Sequence, residues 1–113
     1  MKGYPHRGDV HWVSLDPARG TEIGKTRPAV VISNDACNRF GTRVVVVPLT
    51  SNVESLYPGE AIVSVRGKRT RALGDQMRSL DQRRVRGRLA RLTVEELAEV
   101  EATVRVTLGF DPI

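Results

Sequence analysis

The sequence has 113 residues, enough for one domain spanning 1–113 and too few for two independent cores. Hydrophobic residues make up 40% and aromatic residues only 4%, so we expect an aliphatic core and exclude a disordered tail. The net charge of +5 favours an anionic partner, and no apolar run reaches the roughly 18 residues of a membrane span. The stretch Met1–His6 lacks the apolar core of a secretion signal, and Cys37 has no second cysteine to pair with. We therefore expect a cytoplasmic protein.

Most of the chain is patterned as short β-strands. β-Branched runs separated by turn residues predict strands over 9–15, 29–33, 43–47 and 60–65, with shorter strands near 71–74, 77–80 and 88–92. Asp16-Pro17 ends the first strand, and the glycines in 18–26 predict a mobile loop. The connection Asn34–Thr42 contains Cys37, which we expect to be half-buried.

The C-terminal segment is patterned as a helix. Thr93 and Glu96 have the spacing of a capping box, and Gly109 is a suitable stop. Leu97, Val100, Val104 and Leu108 then fall on one helical face, which we expect to be buried. The predicted fold is therefore mainly β, a small bent antiparallel sheet or barrel closed by one C-terminal helix.

The two valine-rich strands define a first piece of site geometry. If 29–33 and 43–47 form an antiparallel hairpin with Val31 opposite Val46, the same register places Arg27 opposite Thr50. Pro28 keeps Arg27 extended, and Pro48 suits a strand edge or bulge. A slip by one residue would separate the two polar side chains.

This end of the hairpin could bind a phosphate. Arg27 would stabilise negative charge on the phosphate, Thr50 would donate a hydrogen bond, and Glu22 on the loop could accept a proton from a nucleophile. Taken singly, each residue also fits an ordinary solvated strand end, turn or loop. Two histidines and one cysteine without metal-ligand spacing give no reason to expect a metal or another cofactor.

The cations are concentrated in one segment. Residues 66–91 contain ten Lys/Arg against two Asp/Glu, a net charge of +8, whereas residues 93–113 have a net charge of −4. Within this basic segment, Gln76 could read a base edge and Arg78 could bind a phosphate. The cluster that includes Arg83, Arg84 and Arg86 could line an RNA groove, face an acidic protein segment or be plain surface.

Ordered motifs along the chain carry a family resemblance. Arg7-Gly8-Asp9-Val10, Gly20-Thr21-Glu22 and Lys25-Thr26-Arg27-Pro28-Ala29-Val30-Val31-Ile32-Ser33-Asn34 are followed by Val47-Pro48-Leu49-Thr50-Ser51 and Asp75-Gln76-Met77-Arg78-Ser79-Leu80-Asp81. Together they resemble the MazF/PemK/Kid toxins of bacterial toxin–antitoxin systems, from about residue 7 to about residue 110. One departure is Ile23, where the family usually has glutamine.

The resemblance implies an SH3-like barrel, a homodimer and a metal-independent endoribonuclease inhibited by a cognate MazE-like antitoxin. It implies catalytic roles for Arg27 and Thr50 and a contributing role for Glu22. It also implies RNA contacts from residues of the matching motifs, among them Thr21, Lys25, Ser51, Gln76 and Arg78. The expected reaction is attack of the RNA 2′-hydroxyl on the adjacent phosphorus, giving 2′,3′-cyclic phosphate and 5′-hydroxyl ends. The sequence does not decide which group is the general base.

Two other functions fit a small β-rich chain. A non-catalytic toxin like the CcdB gyrase poisons would have the same fold but no need of an Arg/Thr phosphate site. An SH3-like binding module would need aromatic residues for a peptide groove or a base-stacking platform, and this sequence has few.

Overall fold

The computed structural model describes residues 3–54 and 60–113, so that Met1, Lys2 and the segment 55–59 lie outside the described residues. The β-branched runs form strands as predicted, several of them longer than the sequence patterns. The strands are β1 (Asp9–Ser14), β2 (Thr26–Val31), β3 (Arg43–Thr50), β4 (Glu60–Val65), β5 (Lys68–Leu73), β6 (Arg78–Asp81) and β7 (Val85–Arg91). The α-helices are α1 (Asp35–Phe40) and α2 (Val94–Thr107).

Strand β3 is the centre of an antiparallel sheet. On one side it pairs with β2, and on the other it pairs first with β6 and then, at Leu49 and Thr50, with β5. The strand order is β4-β5-β3-β2-β1-β7, with β6 outside this path. The mainly β architecture with a C-terminal helix is therefore confirmed.

Most valines of β2 and β3 are buried, on both faces of the sheet, and Val45 is half-buried. Val30 and Val47 belong to a cluster that includes Val100 of α2, while Val31 and Val46 belong to a second cluster on the opposite face. Alternate side chains of a strand point to opposite faces, so an unbroken apolar run indicates a strand covered on both sides. The helix covers one face, and the loop after β1 contributes Ile23 to the other.

The predicted register of the central hairpin is confirmed. Val31 pairs with Val46, Val30 with Val47 and Ala29 with Pro48. Strand β2 begins at Thr26 and β3 ends at Thr50, so the same register continued by two positions places Arg27 level with Thr50. Side chains of opposite residues in an antiparallel pair project from the same face.

Helix α2 begins with the predicted capping box. The Thr93 hydroxyl accepts from the Glu96 N–H, and the Glu96 carboxylate accepts from the Thr93 N–H. The backbone hydrogen bonds from Thr93 and from Ser64 lower the pKa of Glu96. The burial predicted for the apolar face of α2 is complete only at Val100: Leu97 and Val104 are half-buried, and Leu108, which caps the helix after Thr107, is 54% exposed. Among the described residues, no helix is long and apolar enough to cross a membrane.

The connection between β2 and β3 contains a short helix that the sequence patterns did not predict. Asn34 caps α1 by accepting the Ala36 N–H, and Asn38 faces the core and is completely buried. Cys37 is exposed, so the half-buried position predicted for it is wrong. Successive residues of a helix are about 100° apart, which turns Cys37 outward when Asn38 points inward.

Asn38 joins the start of the chain to the central hairpin. Its side-chain amide donates to the carbonyls of Pro5 at 3.0 Å and Ser33 at 3.1 Å, and its Oδ1 accepts the Ser33 hydroxyl at 2.5 Å. The Ser33 hydroxyl oxygen in turn accepts the Val45 N–H at 3.0 Å. Buried side-chain amides with several partners stabilise one arrangement of the backbone around them.

We expect Asn38→Ala to lower the free energy of unfolding by about 2–3 kcal/mol, because it removes three hydrogen bonds and leaves the half-buried Pro5 and Ser33 carbonyls and the Ser33 hydroxyl hydrogen without this partner. Urea denaturation of the purified variant measures the change. Cys37→Ala, at the exposed neighbouring position, is the control and should shift stability by less than about 0.5 kcal/mol. Equal stability of the two variants would contradict the role assigned to Asn38.

Candidate functional site

Arg27 and Thr50 stand at the same end of the sheet, and both are half-buried. The Arg27 Nε donates to the Gly24 carbonyl at 2.9 Å. Within residues 3–54 and 60–113 its two terminal nitrogens make no hydrogen bond or ion pair. The Thr50 Oγ1 accepts the Asn52 N–H at 3.2 Å, which leaves its own hydrogen for another acceptor. This sheet end therefore offers a guanidinium and a hydroxyl donor to an anionic ligand.

The loop between β1 and β2 carries Glu22. This side chain is exposed, and its Oε1 accepts the Arg19 N–H at 2.7 Å. Nearer to β2, the Lys25 N–H donates to Asp16 Oδ1 at 2.7 Å. A Cβ at Gly24 would come within 2.6 Å of the same oxygen, so a larger residue there would displace the Asp16 side chain. The loop thus doubles back on itself next to Arg27.

Three residues of the basic segment 66–91 form hydrogen bonds that anchor the loop between β1 and β2. The Gln76 side-chain oxygen accepts the Ile23 N–H at 2.6 Å, and Arg78 donates to the Leu15 carbonyl at 3.0 Å. Arg84 donates to the Asp16 carbonyl at 2.5 Å. The structure therefore gives Gln76, Arg78 and Arg84 loop-anchoring contacts, in addition to any contact they make with a ligand.

Glu22 lies beside two of these anchors. A cavity of about 230 Å³ is lined by Thr21, Glu22, Asp75, Gln76, Met77 and Arg78. The structure therefore brings together the glutamate of the first loop and the glutamine and arginine near β6, which are more than 50 residues away in the sequence.

The remaining arginines predicted to bind RNA are placed differently. Arg83 is exposed and binds both carboxylate oxygens of Asp81 at 3.0 Å, and these hydrogen bonds lower the pKa of Asp81 to about 2. Arg86 is exposed on β7 and lines a separate cavity with His11. The structure does not group these two residues with Arg27 or Glu22.

A second cavity contains residues that the sequence analysis did not single out. This cavity of about 390 Å³ includes Arg27 and Ser51 together with Trp12 and three cations of the β4–β5 hairpin, Arg66, Lys68 and Arg69. The motif Arg66-Gly67-Lys68-Arg69 between two predicted strands was a signal for a basic turn. No sequence pattern indicated that this turn would face Trp12.

Comparisons with known proteins agree with this architecture. The family model of PemK-like, MazF-like toxins of type II toxin–antitoxin systems matches residues 6–108. Endoribonuclease MazF9 of Mycobacterium tuberculosis (strain ATCC 25618 / H37Rv) is 37% identical over 113 aligned positions, covering 92% of this chain and 96% of the relative.

Solved structures give the same result. The crystal structure of MazF from Deinococcus radiodurans has a TM-score of 0.84 and 33% identity, and the match covers 96% of this chain and 99% of that chain. A MazE–MazF structure from the same organism has a TM-score of 0.76 and 30% identity, and the match covers 96% and 98% of the two chains. The alternative of a CcdB-like toxin is not favoured by these matches. The chain belongs to the PemK-like, MazF-like toxin family of type II toxin–antitoxin systems.

Proposed function

We propose that this MazF-type toxin endoribonuclease cleaves single-stranded RNA without a metal ion, at the end of the sheet where Arg27 and Thr50 meet. The observation that supports the proposal is the β2–β3 register, which pairs Ala29 with Pro48 and, extended by two positions, would set these two donors level on one face. A guanidinium with free terminal nitrogens suits a phosphate, because it can donate two parallel hydrogen bonds to the oxygens.

The reaction uses the nucleophile that RNA itself carries. The 2′-oxygen forms a bond to the adjacent phosphorus, and the bond from phosphorus to the 5′-oxygen breaks. Arg27 and Thr50 donate to the non-bridging oxygens, where charge develops in the pentavalent state. The proton of the 2′-hydroxyl must leave, and the departing 5′-oxygen must gain one. The products are a 2′,3′-cyclic phosphate and a 5′-hydroxyl.

Glu22 is the group we assign to accept the 2′-hydroxyl proton. It is an exposed carboxylate two residues before Gly24, whose carbonyl is bonded to Arg27 Nε at 2.9 Å. This contact ties the loop to the guanidinium that binds the phosphate. Arg27 is unsuited to the role of base, because a guanidinium keeps its proton under almost all conditions. It can protonate the departing 5′-oxygen, because an alkoxide is a stronger base than guanidine, and the neutral side chain then takes a proton back from water.

The other proposed RNA-binding residues divide into two groups. Thr21, Lys25 and Ser51 are exposed next to the catalytic residues, where they can contact the nucleotides at the cut. Gln76, Arg78 and Arg84 act first on the loop, since their hydrogen bonds hold the segment that carries Glu22. Arg83 and Arg86 lie farther along the basic segment and provide a charged surface for RNA or for an acidic partner.

The partners follow from charge and strand order. A partly disordered, acidic MazE-like antitoxin segment would be attracted to the +8 segment and would exclude RNA from the site. The MazE–MazF structures from Deinococcus radiodurans show that such pairs exist for a related toxin. Within the described residues β4, β6 and β7 each pair with one neighbour only, and a two-fold homodimer is a common way to cover such edges. We place the toxin in the cytoplasm, with its RNA substrate.

Replacing Arg27 by alanine should reduce the single-turnover cleavage rate by about 10²–10³-fold, because one preorganised charged donor is lost. The half-buried side chain can be removed without opening the core, so the circular dichroism spectrum should stay unchanged. Arg39→Ala removes the same charge from exposed α1 at the other end of the sheet and should cleave at the wild-type rate. Near-normal cleavage by Arg27→Ala would place the phosphate site elsewhere.

The nature of the nucleophile can be tested on the substrate. Replacing the 2′-hydroxyl at the cut by hydrogen should block cleavage but leave most binding intact, because the phosphate contacts remain. Cleavage of the unmodified RNA should continue in excess EDTA. A deoxy substrate cut at the same bond, or activity that EDTA abolishes and a divalent ion restores, would contradict the mechanism.

A further inference from the structure

We propose that the groove beside Arg27 carries the RNA strand on from the cut, with Trp12 stacking on one base and the β4–β5 turn binding a flanking phosphate. This inference rests on the proposed function and assigns a part of the substrate path that neither the sequence motifs nor the family resemblance gave. We call the cavity of about 390 Å³ the Trp12 groove.

The lining of the Trp12 groove has the composition of a single-strand binding site. Pro28, Leu49 and Leu89 contribute apolar surface, and the lining includes four cationic side chains and no acidic one. Trp12 is 41% exposed and lies outside the two aliphatic core clusters, so part of the indole is free to contact a ligand. Proteins that bind single strands combine a basic groove with aromatic faces on which bases stack.

The groove is continuous with the cleavage site. Arg27 lines it directly, and Ser51 in its wall follows Thr50 in the sequence. Trp12 pairs with Pro28 across β1 and β2, one residue from Arg27. Arg27 is opposite Val13 and therefore projects from the other face, so the two side chains reach the groove from the two sides of this sheet end. A strand whose phosphate is held by Arg27 reaches the indole by passing round that end.

The turn between β4 and β5 places Arg66 at a positive φ, a backbone conformation that disfavours residues with a long side chain. Val65 pairs with Lys68, so Arg66 and Gly67 form a two-residue hairpin turn, with φ of 51° and 82°. Turns with positive φ at both positions favour asparagine, aspartate or glycine, and an arginine there is strained. Strain of this kind is found where a side chain serves binding. Arg66 is exposed and lines the groove, which suits it to a phosphate.

An acidic antitoxin peptide would meet the same cations. RNA is the better occupant, because a flat indole next to the phosphate-binding Arg27 suits a base that is one nucleotide from a bound phosphate. The acidic peptide is therefore an outcome that the experiment must separate from RNA.

Trp12 is the only tryptophan of the chain, so its fluorescence reports on this groove alone. The probe is a single-stranded 2′-O-methyl oligonucleotide containing the cleaved sequence, which binds but cannot be cut. We expect it to quench the emission, and we expect one abasic substitution near the cut to remove the quenching. Unchanged emission at saturating oligonucleotide, with binding verified by anisotropy, would overturn the inference.

Variants test the two halves of the groove. Trp12→Ala should weaken oligonucleotide binding by roughly 5- to 100-fold, whereas Trp12→Phe should retain most of the affinity because a ring remains.

Arg66→Asn should raise the denaturation midpoint, because it relieves the backbone strain of the turn, and yet weaken binding. The slope of log binding constant against log salt concentration should become shallower by about 0.7. A variant that is more stable but binds less cannot be explained by misfolding. Arg39→Ala is the control for loss of one exposed charge. Wild-type affinity in both Trp12→Ala and Arg66→Asn would overturn the inference.

The proposed function and the inference can fail separately. If the wild type cleaves RNA but neither Trp12 fluorescence nor the variants respond, the cleavage mechanism stands and this path is wrong. If the oligonucleotide quenches Trp12 but Arg27→Ala cleaves normally, the path stands and the catalytic assignment is wrong. Quenching by an acidic peptide and not by the oligonucleotide would assign the groove to a protein partner and overturn the RNA path.

Discussion

The register between β2 and β3 is the constraint on which the site depends, since a slip by one residue would turn Arg27 and Thr50 to opposite faces. The valines alone cannot set it, because they are buried on both faces and would remain buried after a slip. Polar contacts at the far end of the hairpin do set it: Ile32 N–H donates to the Val45 carbonyl at 3.0 Å, and Val45 N–H donates to the Ser33 hydroxyl at 3.0 Å. Asn38 holds Ser33 in place at 2.5 Å. The buried side-chain amide of Asn38 thus helps to fix the β2–β3 register, and through it the positions of Arg27 and Thr50 at the opposite end of the sheet.

The first loop depends on a second set of polar contacts. Ile23 packs on the apolar cluster below it, and its N–H is bonded to Gln76. Arg78 and Arg84 bind carbonyls at the start of the loop. Arg78 and Arg84 belong to the segment 66–91, whose net charge is +8. Part of this positive charge therefore stabilises the loop through hydrogen bonds within the protein. This arrangement links the position of the loop that carries Glu22 to β6.

The sequence predicted the features that depend on local patterns. The capping box at Thr93, the valine strands and the hairpin register follow from residue spacing and are present in the structure. Helix α1 was not predictable from its six residues, since so short a helix is stabilised by the burial of Asn38 and not by its own propensity. Cys37 and Leu108 were misplaced for related reasons, because their exposure depends on where a helix begins or ends.

The sequence patterns did not reveal the Trp12 groove, because its walls come from hairpins that are far apart in the sequence. Low aromatic content argued against a stacking platform, yet one indole is enough when the fold places it beside Arg27 and a basic turn. The sequence patterns did not reveal the loop anchoring by Gln76 and Arg78 either, because their hydrogen-bond partners, the Ile23 N–H and the Leu15 carbonyl, are more than 50 residues away.

The central claim is that the β2–β3 register makes Arg27 and Thr50 act on one phosphate. The most direct test is a double-mutant cycle in single-turnover cleavage, comparing Arg27→Ala, Thr50→Ala and the double variant with the wild type. If both donors act on the same developing charge, the double variant should lose clearly less than the product of the two single losses. Two losses that multiply fully would mean that the residues act independently, and would contradict the account.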